Sequence, residues 1–220
     1  MSYEEFLAWA DEDTLAEWVD GEAVMYSPAS KQHQLLVGFL EKVLGLFVGQ
    51  HNLGIVLSVP FQMELTHGRE PDLLFVAQEH LDRLKDTYLD SPADLVVEIV
   101  SPESVGRDRG EKFYEYARGG VPEYWLINPQ MQWAEFYWLE ETNYRLVFGD
   151  RAGEYRSSIL PDFWLQVEWL WQEPLPSPGQ VVAEITGLSE EARRLTEAML
   201  ATGEVPKRVA EILAAEEGQS

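Results

Sequence analysis

The segment from Leu95 to Val100 is the feature that most constrains how this 220-residue chain can fold. Leu95-Val96-Val97-Glu98-Ile99-Val100 is a continuous apolar run that only Glu98 interrupts. Such a run is typical of a β-strand that is buried on both faces of a sheet. It therefore predicts a central strand that carries one carboxylate at a buried position, within an α/β domain.

Length and composition favour one folded domain with an appendage. Apolar residues make up 45% of the chain and aromatic residues 12%, which excludes disorder for most of its length. The chain has no cysteine, so disulfides and cysteine-ligated zinc sites are excluded.

The first residues do not have the pattern of a secretion signal. Tyr3, Glu4 and Glu5 are followed by acidic residues at Asp11 and Asp13, without a basic region or an apolar region. No apolar run approaches the length that a bilayer crossing needs. We therefore expect a cytoplasmic protein that does not interact with membranes.

Local patterns predict alternating helices and strands. A hairpin turns at Asp20-Gly21, and an amphipathic helix begins at Ser30 with apolar residues in pairs every four positions. The other expected elements are a helix at 3–10, strands at 54–58, 61–65, 73–76, 95–100 and 121–127, a helical excursion at 78–90, a helix from Asp108 to Arg118 that ends at Gly119-Gly120, a hairpin after residue 127, and an aromatic-rich closing segment at 161–171.

A proline-rich stretch divides the chain. We expect a domain at 1–172, a linker at 173–188 and a helical extension at 189–220, in which Ser189 is a candidate N-cap. The extension has too few apolar residues to fold alone, so it should dock on the domain or on a second subunit. A homo-oligomer, such as a dimer, is the corresponding expectation.

Two carboxylates in strand context are the residues with the clearest chemical potential. Asp72 follows Pro71 and leads into Leu73-Leu74-Phe75-Val76, and Glu98 interrupts the buried run. A carboxylate among Val and Ile is costly unless a cation or hydrogen bonds compensate it. Two such groups at the ends of neighbouring strands would suit Mg²⁺, or Mn²⁺. The alternative is that Glu98 pairs with an arginine and that Asp72 begins a turn.

The net charge of −23 argues against nucleic-acid binding over most of the surface. The segment 101–120 is a local exception, because four basic residues there balance four acidic ones. Arg107, Arg109 and Lys112 could thus contact DNA, although salt-bridged helix faces produce the same composition.

Several motifs follow one another along the chain. They are Glu17-Trp18-Val19-Asp20-Gly21-Glu22, Ser27-Pro28 with His33, Glu70-Pro71-Asp72-Leu73-Leu74-Phe75-Val76, Pro92-Ala93-Asp94-Leu95-Val96-Val97-Glu98-Ile99-Val100-Ser101-Pro102-Glu103-Ser104, the set Asp108, Lys112 and Tyr116, and Gly120-Val121-Pro122-Glu123-Tyr124-Trp125-Leu126-Ile127-Asn128-Pro129. In this order they closely resemble the Uma-type restriction endonuclease family, within the PD-(D/E)xK nuclease superfamily. The resemblance covers roughly residues 3–171.

The resemblance implies a mixed, partly parallel sheet flanked by helices, with Asp72 and Glu98 as metal ligands. The superfamily pattern has a lysine two residues after the second acid, where this chain has Val100. Lys112 is the candidate substitute, since Asp108, Lys112 and Tyr116 are spaced by four and would share one helix face. An ordinary Asp108–Lys112 pair on a solvated face is the alternative.

Two further residues are candidates for the site. Glu22 could be another metal ligand or could pair across the hairpin. His33 could contact a phosphate or the attacking water, or could cap the helix.

The sequence thus predicts a Mg²⁺-dependent endonuclease that hydrolyses DNA phosphodiester bonds. The alternative is a catalytically degenerate protein that keeps the fold and acts in interaction or regulation, which the net charge and Val100 favour. A small-molecule hydrolase has little support, because the chain has neither a G-x-S-x-G motif nor a cysteine nucleophile.

Overall fold

The computed structural model describes residues 1–10, 16–25, 30–101 and 104–188, which fall into two compact units, Met1–Pro176 and Ser177–Ser220. The helices are α1 (Tyr3–Trp9), α2 (Lys31–His51), α3 (Val105–Asp108), α4 (Glu111–Gly119) and α5 (Pro178–Ile185), with 3₁₀ turns at Gln78–Arg83 and Val167–Trp171. The strands are β1 (Ala16–Val19), β2 (Glu22–Met25), β3 (Gly54–Ser58), β4 (Gln62–Glu64), β5 (Gly68–Arg69), β6 (Leu73–Ala77), β7 (Tyr88–Leu89), β8 (Leu95–Ile99), β9 (Glu123–Asn128), β10 (Trp133–Glu140), β11 (Asn143–Asp150), β12 (Glu154–Arg156) and β13 (Trp164–Gln166).

The principal sheet has six strands in the order β11-β10-β9-β8-β6-β3. The β8–β9 pair is parallel and the other pairs are antiparallel. All five residues of β8 are buried, as its apolar run predicted. The predicted class, a mixed α/β fold with helices beside the sheet, is confirmed.

A second sheet has the order β2-β1-β5-β4-β7. Its first two strands form the expected hairpin, and Asp20 and Gly21 both have positive φ, at 50° and 85°. This geometry suits a two-residue loop, because Gly and Asp tolerate the left-handed region. Strand β1 places Glu17 at a buried position.

Helix α2 begins as the sequence predicted. The Ser30 hydroxyl accepts a hydrogen bond from the backbone N–H of His33 at 3.2 Å, which is an N-cap. The predicted apolar stripe is buried except at Leu35, and its buried members are Leu36, Phe39, Leu40, Val43, Leu44, Phe47 and Val48.

A fully buried glutamate on β9 forms hydrogen bonds with the loop after β12. Glu123 accepts hydrogen bonds from the indole N–H of Trp125 at 2.7 Å and from the Tyr155 hydroxyl at 2.8 Å. Its other oxygen accepts bonds from Ser157, from the backbone and hydroxyl of Ser158 and from the Ile159 backbone. The carboxylate is thus stabilised by donors alone, which compensates its burial.

The helix expected from Asp108 to Arg118 begins three residues later, at Glu111, and a separate short helix precedes it. Gly110, with φ −117° and ψ −100°, is not helical, so α3 ends at Asp108 and α4 begins at Glu111. A Cβ atom at Gly110 would lie 2.5 Å from the Gly106 carbonyl oxygen, so the break depends on glycine. The predicted C-terminal end is confirmed, since Gly120 caps α4 with φ 90°.

The expected linker at 173–188 contains helix α5, which belongs to the second unit. Pro178 occupies the start of the helix, where a missing N–H costs nothing. The predicted extension at 189–220 lies outside the described residues, and its role in self-association stays a prediction. Within the described ranges no helix has both the length and the apolar character to cross a membrane.

Candidate active site

Asp72 immediately precedes β6, level with Glu98 on the neighbouring strand. The register sets this position, because Leu73 pairs with Val97 in antiparallel geometry. Asp72 Oδ2 accepts a hydrogen bond from the backbone N–H of Ile99 at 2.7 Å and lies 3.1 Å from His33 Nε2. Both contacts hold the Asp72 carboxylate beside the last residue of β8.

Glu98 is 3% exposed and has two donors on one oxygen. Lys112 Nζ lies 3.0 Å from Glu98 Oε1, and the Tyr116 hydroxyl donates to the same oxygen at 2.7 Å. The alternative in which Glu98 pairs with an arginine is therefore wrong, since a lysine and a tyrosine from α4 take that place.

Lys112 is buried between carboxylates. Its ammonium lies 2.9 Å from Glu17 Oε1, 3.0 Å from Glu98 Oε1 and 3.9 Å from Asp108 Oδ1. The Lys112 side chain is 8% exposed, so the alternative of an Asp108–Lys112 pair on a solvated face is wrong. The structure thus brings Lys112 to Glu98 from a position fourteen residues later in the chain.

Glu17 is the site residue that the sequence did not single out. It is 1% exposed, and besides Lys112 it accepts hydrogen bonds from Arg69 Nη1 and from the Glu70 backbone N–H, both at 3.2 Å. Glu17 lies in the segment Glu17–Glu22 that resembles the family, but the sequence pattern pointed to Glu22 as the candidate metal ligand. Glu22 is exposed at the start of β2, and its side chain makes no ion pair or hydrogen bond within the described chain, so its role stays a prediction.

A second set of charges continues the network beyond Glu17. Arg69 donates to Glu115 Oε2 through Nε and Nη2, each at 2.8 Å. His67 also contacts Glu115, at 2.8 Å from Nδ1 to Oε2, and its other ring nitrogen lies 3.1 Å from Asp20. Arg69 therefore fixes the far side of the Glu17 carboxylate.

The electrostatics of the site favour a charged lysine. Burial alone would lower the pKa of Lys112, but Glu98, Glu17 and Asp108 raise it above its ordinary value. Burial raises the pKa of Glu17, but Lys112 and Arg69 outweigh that effect and lower it. Lys112 and Glu17 thus form an ionised pair.

The pKa of Glu98 is shifted in the opposite direction to that of Glu17. Burial raises its pKa well above the ordinary value, Lys112 opposes that effect, and the carboxylates of Asp108, Asp72 and Glu17 raise it further. Negative charge therefore exceeds positive charge around Glu98.

Asp108 and His33 contain buried polar atoms without a hydrogen-bond partner. Both carboxylate oxygens of Asp108 and Nδ1 of His33 are in this state. Burial raises the pKa of Asp108, with Lys112 opposing it and Asp72 adding to it. Burial would lower the pKa of His33, but its hydrogen bond to Asp72 raises it.

These features suit a divalent cation. The Asp108 carboxylate, which has no hydrogen-bond partner, and the acids grouped at Asp72 and Glu98 would be compensated by added positive charge. Among the described residues, no three acidic or histidine side chains form a ready-made metal cage. Mg²⁺ is compatible with that arrangement, because it commonly binds through one or two carboxylates and keeps several waters.

The basic segment expected to contact DNA is divided in the structure. Arg109 lies 2.6 Å from Glu135 Oε2, and Lys112 is buried in the site. Arg107 makes no ion pair within the part of the chain that the structure describes. The three residues therefore do not form one exposed basic patch, and of the three only Arg107 lacks an ion pair among the described residues.

The comparisons with known proteins agree with this fold. Residues 3–168 match the model of the Uma2 family, which is described as "Putative restriction endonuclease". The chain also matches a crystal structure, that of a "putative nuclease belonging to DUF820" from Anabaena variabilis ATCC 29413, at 16% identity and a TM-score of 0.67. That match covers 78% of this chain and 97% of the other, and it shows a shared fold.

Curated proteins gave no match. The family model nevertheless covers most of the chain, including β1, both strands that carry the carboxylates, and α4. The predicted restriction-endonuclease-like fold is thus confirmed, and this chain belongs to the Uma2 family of nuclease-type proteins.

Proposed function

We propose that the protein is a divalent-metal-dependent endonuclease that hydrolyses DNA phosphodiester bonds. The observation that carries the proposal is the position of Lys112, whose ammonium lies 3.0 Å from Glu98 beside Asp72. A lysine with two neighbouring acids is the set of groups that the superfamily pattern requires. The valine at position 100 therefore does not remove the cationic group from the site.

Asp72 and Glu98 would hold Mg²⁺ or Mn²⁺. When bound, the cation supplies Lewis-acid activation of a phosphate oxygen and neutralises negative charge. His33 and the Ile99 backbone N–H restrain the Asp72 carboxylate, which keeps it in one orientation.

Lys112 would stabilise charge that develops on the phosphate. Its raised pKa keeps the ammonium protonated, so it can donate hydrogen bonds but cannot serve as a general base. A preorganised donor of this kind is most effective where charge grows in the transition state. The Tyr116 hydroxyl donates to the same Glu98 oxygen and helps to hold the carboxylate in place.

The second candidate function is a catalytically inactive protein that acts in interaction or regulation. The net charge of −23 favours it, because DNA approaching most of the surface would be repelled. The ion pairs that already neutralise Lys112 are also compatible with a purely structural role.

Cleavage assays distinguish the two functions. Single-stranded, double-stranded and branched DNA would be incubated with the protein and Mg²⁺ or Mn²⁺, with Asp72→Asn and Glu98→Gln as matched controls. Cleavage that requires metal and is lost in both variants is expected. Metal-dependent cleavage that persists in both variants would place the activity elsewhere, and no cleavage of any substrate would favour the inactive protein.

A further inference from the structure

We propose that Glu17 is a positioning residue that retains Lys112 in the site when the charge of Glu98 is taken up by a metal ion. The inference rests on the proposed function, because it concerns what happens to Lys112 when Glu98 binds a cation. Its basis is that Lys112 has two separate anchors, supplied by two different sheets.

The two anchors of the ammonium come from different sheets. Glu98 belongs to β8 of the six-stranded sheet, whereas Glu17 belongs to β1 of the second sheet. The contacts of Lys112 Nζ are nearly equal in length, 2.9 Å to Glu17 Oε1 and 3.0 Å to Glu98 Oε1. Either carboxylate alone could therefore keep the lysine in place.

A divalent cation on Glu98 would weaken one anchor and leave the other. It would compete with Lys112 for the Glu98 carboxylate and repel the ammonium at short range. Glu17 would be unaffected as an anchor, since its contacts are to Lys112, Arg69 and the Glu70 backbone. The lysine would then remain beside the reacting phosphate instead of turning away.

Glu17 is itself held in a fixed orientation. Arg69 donates to Oε2 and the Glu70 N–H donates to Oε1, both at 3.2 Å, in a place where Glu17 is 1% exposed. Arg69 is held in turn by Glu115. This rigidity is what a positioning residue requires, because a mobile anchor could not fix the ammonium within a few tenths of an ångström.

Chemical labelling of Lys112 tests the proposal without metal. Glu98→Gln removes the charge of Glu98, as a bound cation would, and keeps an oxygen that can accept a hydrogen bond. The protein would be treated with an amine-acetylating reagent, and the labelling rate of each lysine would be measured by mass spectrometry. The exposed Lys42 and Lys85 serve as internal references for the labelling rate of accessible lysines.

The expected result is specific to Glu17. Glu98→Gln should raise Lys112 labelling less than about threefold, and the double variant with Glu17→Gln should raise it at least about tenfold, the scale of losing a charge-assisted hydrogen bond. Glu115→Gln is the matched control, because Glu115 contacts Arg69 in the same network and does not contact Lys112. Added to Glu98→Gln, it should leave Lys112 protected.

Folding and activity supply two further readouts. If the double Gln variant does not fold, Glu17→Asp in the Glu98→Gln background shortens the anchor while keeping its charge, and intermediate labelling is expected.

In cleavage assays, Glu17→Gln should lower kcat in the wild type and have no further effect in Lys112→Ala. Absence of cleavage by the wild type would contradict the proposed function and leave the labelling result to decide the role of Glu17. Equal release of Lys112 by Glu98→Gln alone and by the double variant would overturn the proposal.

Discussion

The Lys112 ammonium lies 3.0 Å from Glu98 Oε1, although fourteen residues and a broken helix separate the two in the chain. Parallel pairing of β8 with β9 requires a crossover between them, and α3 and α4 provide it. The lysine therefore reaches the carboxylate from the crossover and not from the strand, where Val100 takes part in the core.

Asp72→Asn should abolish Mn²⁺ binding at the site. Asparagine keeps an oxygen that can accept the hydrogen bond from Ile99, so the fold should be retained while a charged ligand is lost. Isothermal calorimetry with wild type and variant measures the difference. Equal Mn²⁺ affinity in the two proteins would exclude Asp72 as a ligand.

Lys112→Ala should lower metal-dependent cleavage by about two orders of magnitude, the scale for losing one preorganised donor. Metal affinity should be unchanged or higher, because the cation that competes for Glu98 is gone. Single-turnover cleavage and Mn²⁺ titration measure the two effects separately. A variant with unchanged cleavage would show that Lys112 has only a structural role.

Lys112→Met should lower the free energy of unfolding by about 3–5 kcal/mol, the range for breaking a buried ion pair. The substitution keeps most of the side-chain volume and leaves Glu17 and Glu98 without their shared cation. Urea denaturation of the metal-free protein is the measurement. A change below about 1 kcal/mol would mean that the carboxylates become protonated at little cost.

Asp108→Asn should raise the thermal stability of the metal-free protein. The substitution removes a buried charge whose two oxygens have no hydrogen-bond partner and which lies close to other acids. Mn²⁺ affinity should fall about tenfold, the lower end for residues that support a metal site. A drop in melting temperature would instead show that Asp108 is compensated in solution.

Glu123→Ala should destabilise the protein by roughly 3 kcal/mol or more, because it leaves several buried donors unpaired. Glu123→Gln, which keeps one acceptor oxygen but brings its own N–H donors into the same cluster, should also be destabilising. The Mn²⁺ affinity of the folded fraction serves as the control, and it should not change. Wild-type stability of the Ala variant would rule out this role for Glu123.

His67 should make stability depend on pH. Burial lowers its pKa, but hydrogen bonds to Glu115 and Asp20 outweigh that effect and raise it. Its contribution should be fully present below the unfolded-state pKa of about 6.5 and should be lost as pH rises through the folded-state pKa. The difference in melting temperature between wild type and His67→Gln should thus shrink from acid to alkaline pH. A constant difference would contradict the predicted linkage.

The parts of the site that lie on one sheet could be predicted from sequence. Asp72 and Glu98 stood out because each carries charge in a strand pattern, and neighbouring strands bring such positions together. Lys112 followed from the resemblance and from the direction in which a helix must return along the sheet.

Glu17 could not be predicted in the same way. Its partners come from distant parts of the chain, since Arg69 lies on the neighbouring strand β5 and Lys112 lies on α4. Glu22 on the same hairpin has the same chemistry and lies at an exposed position. The alternation on so short a strand did not distinguish the two.

The basic segment at 101–120 shows a second limit of prediction from the sequence. Composition alone indicated a possible DNA contact at Arg107, Arg109 and Lys112, but side-chain partners decide which charges are available. Glu135, which pairs with Arg109, lies on β10, and no local pattern connects the two residues. The helix break at Gly110 was missed for a related reason, since one glycine within a helical pattern is commonly tolerated.

The double anchorage of Lys112 also has a consequence for synthesis on the ribosome. The hairpin with Glu17 is made 95 residues before Lys112, which at about 5–20 residues per second takes roughly 5–20 s. During that interval the nascent Glu17 carboxylate has Arg69 as its one structural cation among the described contacts, and only after residue 69 has been added. The N-terminal strands should therefore acquire their native charge balance only when α4 has left the exit tunnel, and the six-stranded sheet should be completed later still, because β9, β10 and β11 follow α4 in the chain.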